Sequence, residues 1–124
     1  MKKVISIKDA PGAIGPYSQG IDIGDLIFLS GQLGIDVKSG NLGSTIEEQT
    51  KFALNNIKTI LQEYGLNFSN IVKTTIYMTN LADFSKVNEI YATYFNGDYP
   101  ARTTVQVAGL PKSGLIEIEV IVQK

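Results

Sequence analysis

The residues best suited to chemistry are an arginine and a glutamate in the last quarter of the chain. Arg102 is the only arginine among eleven basic residues. It lies in residues 100–107, which alternate polar and apolar like a half-buried strand, and a second alternating stretch, 116–120, contains Glu117. If the two strands pair or neighbour each other, the guanidinium and the carboxylate can share one face. Such a site suits a small carboxylate substrate, which a guanidinium binds through two hydrogen bonds; alternatively, both groups are simply solvated.

Several classes of site are excluded by composition. The 124 residues include no histidine and no cysteine, which rules out Ser-His-Asp and thiolate nucleophiles and the common zinc and iron–sulfur sites. The stretch Gly12–Pro16 is too short for a phosphate-binding loop, and Pro16, which has no backbone N–H to donate, stands where such a loop needs its lysine. We therefore expect no metal, nucleotide or flavin cofactor, although a carboxylate-only metal site stays open. Any proton transfer falls to Asp, Glu, Lys, Tyr, a hydroxyl or water.

Length and charge narrow the class of protein further. Residues 1–124 are enough for a single domain with one core, and 44% of them are apolar. No apolar run approaches the ~20 residues of a membrane span, and the apolar residues 4–7 are followed at once by Lys8 and Asp9, unlike a secretory signal. We expect a cytoplasmic protein without a membrane partner. The net charge of −1, with no basic cluster, disfavours a nucleic-acid partner.

Periodicity predicts six strands and two helices around these residues. Ser44 with Glu47, or Thr45 with Glu48, fits a capping box at the start of the first helix, and Gly65 is suited to end it. Asn80 is placed to cap the second helix, which we expect to end near Asn96. The predicted strands are residues 4–7, 19–23, 26–30, 71–79, 100–107 and 116–120.

This order of elements predicts an α+β fold in which two helices cover one face of a mixed six-stranded sheet. The other face would remain uncovered. We assign Thr74, Ile76 and Met78 to that uncovered face. A face so rich in apolar and hydroxyl side chains predicts self-association, with clefts between the subunits.

Several runs of residues resemble one known family along essentially the whole chain. They are AIGPYSQG at 13–20, LSGQ at 29–32, NNI at 55–57, VKTT at 72–75, Phe84 with Val87 and Asn88, PARTTVQV at 100–107, and Leu110-Pro111 through IEIE at 116–119. In this order they resemble the Rid/YjgF family of reactive-intermediate deaminases. The resemblance implies a chorismate-mutase-like fold and a homotrimer with a barrel-like core. It also implies hydrolysis of 2-imino acids such as 2-iminobutanoate and 2-iminopropanoate, released by pyridoxal-phosphate enzymes, to 2-oxo acids and ammonia.

The resemblance also implies roles for individual residues. Arg102 binds the substrate carboxylate, and Glu117 activates water or manages the proton at the imine nitrogen. Tyr17 lines the cleft from a neighbouring subunit. The remaining substrate-binding positions are the cleft wall, Ser30 and Gly31, and the second-tier residues Asn88 and Thr104. Many family members carry cysteine where this chain has Thr104, which argues against a thiol-based redox-chaperone activity but not against imine hydrolysis.

Two other functions compete with this interpretation. A non-catalytic module that binds small carboxylates and reports them to a partner protein would use the same arginine. An endoribonuclease or translation inhibitor, a label attached to parts of the family, is disfavoured by one arginine, no histidine and a net charge of −1. Imine hydrolysis is chemically easy and needs no cofactor, because holding water and imine in register supplies most of the acceleration.

Overall fold

The computed structural model describes all 124 residues and has one mixed sheet with two helices. The elements are β1 (Lys3–Ile5), β2 (Gly20–Asp22), β3 (Leu26–Leu33), α1 (Ile46–Glu63), β4 (Ile71–Met78), α2 (Phe84–Ala92), β5 (Ala101–Gln106) and β6 (Ile116–Gln123). The strand order is β1-β2-β3-β6-β4-β5. Only β4 and β5 run parallel, joined through α2; the other neighbours are antiparallel. The predicted α+β fold with a mixed six-stranded sheet is therefore confirmed.

Helix α1 begins and ends with the caps that its sequence predicts. The hydroxyl of Thr45 accepts a hydrogen bond from the Glu48 amide at 3.1 Å, while the Glu48 carboxylate reaches back to the Ser44 amide at 2.7 Å. Thr45 and Glu48 are therefore the capping pair. The return bond to Glu48 comes from the amide of Ser44 instead of that of Thr45, the position expected in a capping box. At the other end, Gly65 has φ +69° and the Leu66 amide donates to the Leu61 carbonyl. This is a Schellman closure, which favours glycine at that position.

Helix α2 is shorter than predicted. Asn80 caps a 3₁₀ turn, Leu81–Asp83, by accepting from the Ala82 amide at 3.0 Å, and that turn leads directly into α2. The helix ends at Ala92 rather than near Asn96. The aromatic residues beyond it, Tyr94 and Phe95, are partly buried against the core through successive turns.

The core lies between the helices and one face of the sheet. It contains twenty buried apolar residues, most of them from the two helices and the central strands. Thr74, Ile76 and Met78 lie on this covered face and are fully or almost fully buried, so our assignment of them to the uncovered face was wrong. Thr74 can be buried because its hydroxyl shares a hydrogen bond of 2.8 Å with the Tyr91 hydroxyl.

The opposite face of the sheet, which we call the open face, is a mixture of charged, hydroxyl and apolar side chains. Strand alternation and register assign to it Phe28 of β3, Lys73, Thr75 and Tyr77 of β4, Thr103 and Val105 of β5, and Glu117, Glu119 and Ile121 of β6. Phe28 and Val105 are 40% and 39% exposed. Neither α1 nor α2 is long and apolar enough to cross a membrane.

Candidate functional site

Glu117 lies in a cavity of about 450 Å³ formed by three segments of the chain. We call it the Glu117 cavity. Its walls come from the loop before β2, from β3 with the residues after it, and from the turn before β6. The lining residues are Pro11, Gly12, Ala13, Ile14, Tyr17, Gln19, Ser30, Gly31, Gln32, Leu33, Ile35, Pro111, Lys112 and Glu117. Four predicted site residues, Tyr17, Ser30, Gly31 and Glu117, therefore come together here.

The Glu117 carboxyl group lies directly against the backbone of Gly31. A Cβ atom on Gly31 would lie 2.6 Å from Cδ and 3.0 Å from Oε1 of Glu117, so any side chain here would displace the Glu117 carboxyl from its observed position. Gly31 belongs to an irregularity in β3 between Leu29 and Gln32, where the register with β6 shifts. This bulge interrupts the pairing of β3 with β6 beside Glu117, and the absence of a Cβ at Gly31 leaves room for the carboxyl.

The surroundings of Glu117 favour the protonated form of its carboxyl group. Its side chain is half-buried, and neither of the chain's two ion pairs involves it. Burial raises the pKa of the Glu117 carboxyl, and the negative charge of Glu119 raises that pKa further. A carboxyl group with a raised pKa can act as a general acid as well as a base.

Tyr17 is carried by a loop that polar side chains fasten to the sheet. The buried Gln19 amide donates to the Pro11 carbonyl at 2.9 Å, and its oxygen accepts from the Ile7 amide at 2.6 Å. The Ser30 hydroxyl donates to the Ser18 carbonyl at 2.6 Å. Ser30 thus holds the loop next to Tyr17, whose ring is 52% exposed at the cavity.

Arg102 is oriented by three residues of α2. Its guanidinium donates to the Asn88 side-chain oxygen at 2.8 Å. Its Cζ atom lies 5.4 Å from the ring centroid of Phe84 and 5.0 Å from that of Tyr91, within the range of cation–π interactions. Neither ion pair of the chain includes Arg102. The group is therefore held in one orientation and lacks a carboxylate partner within its own chain.

Thr104 lies beside Arg102 in a shallow pocket whose other walls are Leu81 and Phe84. Its hydroxyl oxygen is buried and has no hydrogen-bond partner. A buried hydroxyl without a partner is uncommon in proteins. Arg102, Asn88 and Thr104 therefore form a second group of predicted site residues, separate from the Glu117 cavity.

The prediction that Arg102 and Glu117 share one face of the sheet was wrong for a single chain. Strand β4 lies between β5 and β6, so the two charged residues are not on adjacent strands. Arg102 is level with Thr74, whereas Glu117 is level with Tyr77. Because Thr74 and Tyr77 are three residues apart on β4, they point to opposite faces. Arg102 lies under α2, and Glu117 lies on the open face.

Four further residues near these groups were not singled out from the sequence as site residues. Tyr91 is buried, whereas Phe84 is 36% exposed, and the rings of both flank Arg102. Their spacing from Asn88, four and three residues, was the available signal, since it places all three on one side of a helix. Nothing in the sequence indicated Gln19 or Lys112 as cavity residues.

The chain is similar, both in sequence and in structure, to several known proteins. A deaminase of 2-iminobutanoate and 2-iminopropanoate from Mus musculus is 50% identical over 123 residues, covering 98% of this chain and 90% of the mouse protein. The crystal structure of YyfA from Yersinia pestis, described as a protein of unknown function of the conserved Rid family, has a TM-score of 0.95 at 48% identity, covering 100% of both chains. That of Escherichia coli TdcF with bound serine has a TM-score of 0.94 at 41% identity, covering 98% of both. The family model described as Endoribonuclease L-PSP matches residues 7–124, and the chain therefore belongs to the Rid/YjgF family.

Proposed function

We propose that this protein hydrolyses reactive 2-imino acids, among them 2-iminobutanoate and 2-iminopropanoate, to 2-oxo acids and ammonia. The observation that carries the proposal is the oriented guanidinium of Arg102, which has no carboxylate partner in its own chain. A substrate carboxylate is the partner that such a group binds best. The names of relatives from mouse and human, at 50% and 48% identity, supply the reaction. A cytoplasmic location, beside the pyridoxal-phosphate enzymes that release such imines, is part of the proposal.

We further propose that residues 1–124 form one domain of a chorismate-mutase-like homotrimer with a barrel-like core. Arg102 and Glu117 lie on opposite faces of one sheet, so both can reach one small substrate only if they come from different subunits. The half-exposed apolar residues of the open face, such as Phe28 and Val105, support assembly through this face. The active site would then be a cleft in which the Glu117 cavity of one subunit meets Arg102 of the next.

Within this cleft each residue has a defined task. Arg102 binds the substrate carboxylate, and Asn88 holds the guanidinium in the orientation required. Glu117 moves protons between water and the imine nitrogen. The substrate-binding surface is completed by Tyr17, Ser30 and Gly31 around Glu117 and by Thr104 beside Arg102.

A single carboxyl group, that of Glu117, can carry every proton transfer in the reaction. Glu117 gives its proton to the imine nitrogen, water adds to the carbon, and the proton lost by that water returns to Glu117. A second transfer from Glu117 to the amino nitrogen lets the C–N bond break, so ammonia leaves. The hydroxyl proton goes back to Glu117 as the 2-oxo acid forms. Proton transfer of this kind contributes roughly 10²–10⁴-fold.

The proposal is tested by competition for the imine. A threonine dehydratase generates 2-iminobutanoate in situ, semicarbazide traps the imine that escapes, and ammonia and 2-oxobutanoate are measured as products. We expect the wild type to suppress trapping and Arg102→Ala to lose about tenfold or more in this activity, because a hydrogen bond to a charged group contributes about 1.5–3 kcal/mol. Lys86→Ala, which removes an exposed positive charge of α2, serves as the matched control.

The two possible results separate the main function from its competitor. Suppression by the wild type and by Lys86→Ala, but not by Arg102→Ala, identifies an imino-acid deaminase that binds its substrate through the arginine. If no version suppresses trapping, the enzymatic function is refuted. A non-catalytic module that binds small carboxylates then becomes the better account.

A further inference from the structure

Tyr77 and Glu119 form a hydrogen-bonded pair on the open face that the proposed reaction does not use. The Tyr77 hydroxyl donates to Oε1 of Glu119 at 2.7 Å. In the pairing of β4 with β6 the partner of Tyr77 is Glu117. The Tyr77 hydroxyl nevertheless bonds to Glu119, the next residue on the same face of β6. A tyrosine is long enough to reach such a diagonal neighbour. The bond fixes the position of the Glu119 carboxylate.

The geometry of Gly31 brings the carboxyl of Glu117 toward this pair. Glu117 is level with Leu33 of β3, but its carboxyl group lies on Gly31, two residues back along that strand. On β3, Gly31 lies between the two residues that pair with Ile118 and Val120, so it is opposite Glu119. The Glu117 side chain therefore leans along β3 toward the level of Glu119, and the two glutamates are alternate residues on the same face of β6.

Within one chain Glu119 is the negative neighbour of Glu117, whereas in the proposed cleft Arg102 of the next subunit adds a positive charge that acts in the opposite sense. On β4 the charged neighbour is Lys73, whose ammonium donates to the Thr103 hydroxyl at 2.7 Å. In the Glu117 cavity the ionisable neighbours are Tyr17 and Lys112. After burial, the negative charge of Glu119 is the second cause that raises the pKa of Glu117. The Lys73 and Lys112 ammonium groups are not among those causes.

We propose that Glu119, held in place by its hydrogen bond to Tyr77, is a positioning residue whose negative charge favours the protonated form of Glu117, the form that donates a proton to the imine nitrogen. This inference rests on the proposed deaminase function for its catalytic consequence. The interaction between the two glutamates is a property of the folded protein and can be measured without any substrate. The two parts can therefore fail separately.

The electrostatic part is tested by titrating Glu117 directly. The full-length protein is labelled with carbon-13 at glutamate side-chain carboxyls, and the Glu117 resonance is assigned as the signal missing from Glu117→Gln. We expect Glu119→Gln to move the Glu117 midpoint to lower pH, because a negative neighbour is removed. Glu119→Asp keeps the charge and should retain most of the wild-type midpoint. Tyr77→Phe removes the hydrogen bond to Glu119 but keeps the negative charge of Glu119. It should therefore move the Glu117 midpoint to lower pH by a smaller amount.

A net-charge control makes the result specific. Glu63→Gln removes one negative charge from the exposed end of α1 and should leave the Glu117 midpoint unchanged. An unchanged midpoint in Glu119→Gln would overturn the inference, as would an equal shift in Glu63→Gln. An unchanged midpoint in Tyr77→Phe would remove the anchoring role of the tyrosine.

The catalytic part is tested by the pH dependence of kcat/KM for deamination, corrected for spontaneous hydrolysis. If protonated Glu117 is the donor, activity falls as pH rises through its midpoint, and in Glu119→Gln this fall occurs at lower pH. Activity that instead persists to lower pH in Glu119→Gln would show that ionised Glu117 is required, which contradicts the donor role. A wild type without deaminase activity would refute the proposed function, while the titration would still decide the interaction between the glutamates.

Discussion

Gly31 contributes to the candidate site because it has no side chain, which leaves space for the Glu117 carboxyl group. In Gly31→Ala the new Cβ would lie 2.6 Å from Cδ of Glu117. The carboxyl group is the free end of a flexible side chain, so it can turn aside at little cost to stability. We expect the melting temperature to stay near that of the wild type, while kcat/KM for imine hydrolysis falls by roughly 10²–10⁴-fold, the contribution of a general acid–base group.

The matched control for this substitution lies in the same cavity. Gly12 also lines it, but an added Cβ at Gly12 would meet nothing within 4 Å. Gly12→Ala should therefore retain most of the wild-type activity. Full activity in Gly31→Ala would mean that the position of the Glu117 carboxyl does not limit the reaction.

Asn88 illustrates how the structure changes the role expected for a residue. It was predicted as a substrate-binding position, and its side-chain oxygen instead accepts a hydrogen bond from Arg102. We expect Asn88→Ala to raise KM and to lower kcat/KM by about tenfold, since a hydrogen bond to a charged group is lost. Asn88→Asp should lower kcat/KM further, because its carboxylate would pair with the guanidinium and compete with substrate. Steady-state kinetics should give kcat/KM values that fall from wild type to Asn88→Ala to Asn88→Asp. Equal activity of Asn88→Asp and wild type would contradict this prediction.

The start of helix α1 provides a stability test that is independent of catalysis. The Thr45 hydroxyl caps the helix, whereas Ser44 takes part only through its backbone amide. We expect Thr45→Ala to lower the free energy of unfolding by about 1 kcal/mol, a typical cost of losing a cap. Ser44→Ala should leave it almost unchanged. Thermal unfolding at one fixed protein concentration compares the two, and equal destabilisation would contradict the assignment of Thr45 as the cap.

Local signals predicted individual elements well, because the deciding contacts are close in sequence. Thr45 and Glu48 are three residues apart, and Gly65 closes the same helix through its own conformation. The face of β4 could not be decided in this way. Alternation separates Thr74 and Ile76 from Tyr77 but does not say which set packs under the helices, since both include apolar or aromatic groups.

The candidate site was predictable as a set of residues but not as an arrangement. Runs of residues resembling a family pointed to Tyr17, Gly31, Arg102 and Glu117 individually. Their division into two groups depends on β4 lying between β5 and β6 and on the register of both ladders. Such long-range register leaves no local trace in the sequence, and for this reason we expected Arg102 and Glu117 on one face.

The proposed assembly makes a sharp prediction for mixed subunits. Arg102→Ala and Glu117→Gln should each be nearly inactive alone. If the site joins two subunits, unfolding and refolding an equal mixture should restore activity in about one quarter of the sites, since each site draws its two halves at random from a closed ring. Sedimentation should show a trimer throughout. A stable monomer, or no recovery in mixtures that do exchange subunits, would contradict a site shared between subunits.

The overall charge of the molecule bears on the nuclease label of its family. With one arginine, no histidine and a net charge of −1, the chain offers little to neutralise phosphates. We expect no ribonuclease activity after rigorous purification, measured on a labelled single-stranded RNA. Cleavage that survived repurification and disappeared in Arg102→Ala would reverse this conclusion.

The central place of β6 has a consequence for how the protein is made. Residues 116–123 are synthesised after the other five strands of the sheet, yet they lie between β3 and β4 in its middle. Leu29 pairs with Gly20 of β2 on one side, but its partner on the other side, Val120, is synthesised about ninety residues later. Until then the nascent chain exposes two unpaired strand edges, which are open to wrong pairing. Since pairing between distant strands is also slow, we expect the sheet to close only after β6 has been synthesised, and any product that stops before β6 to depend on chaperones or be degraded.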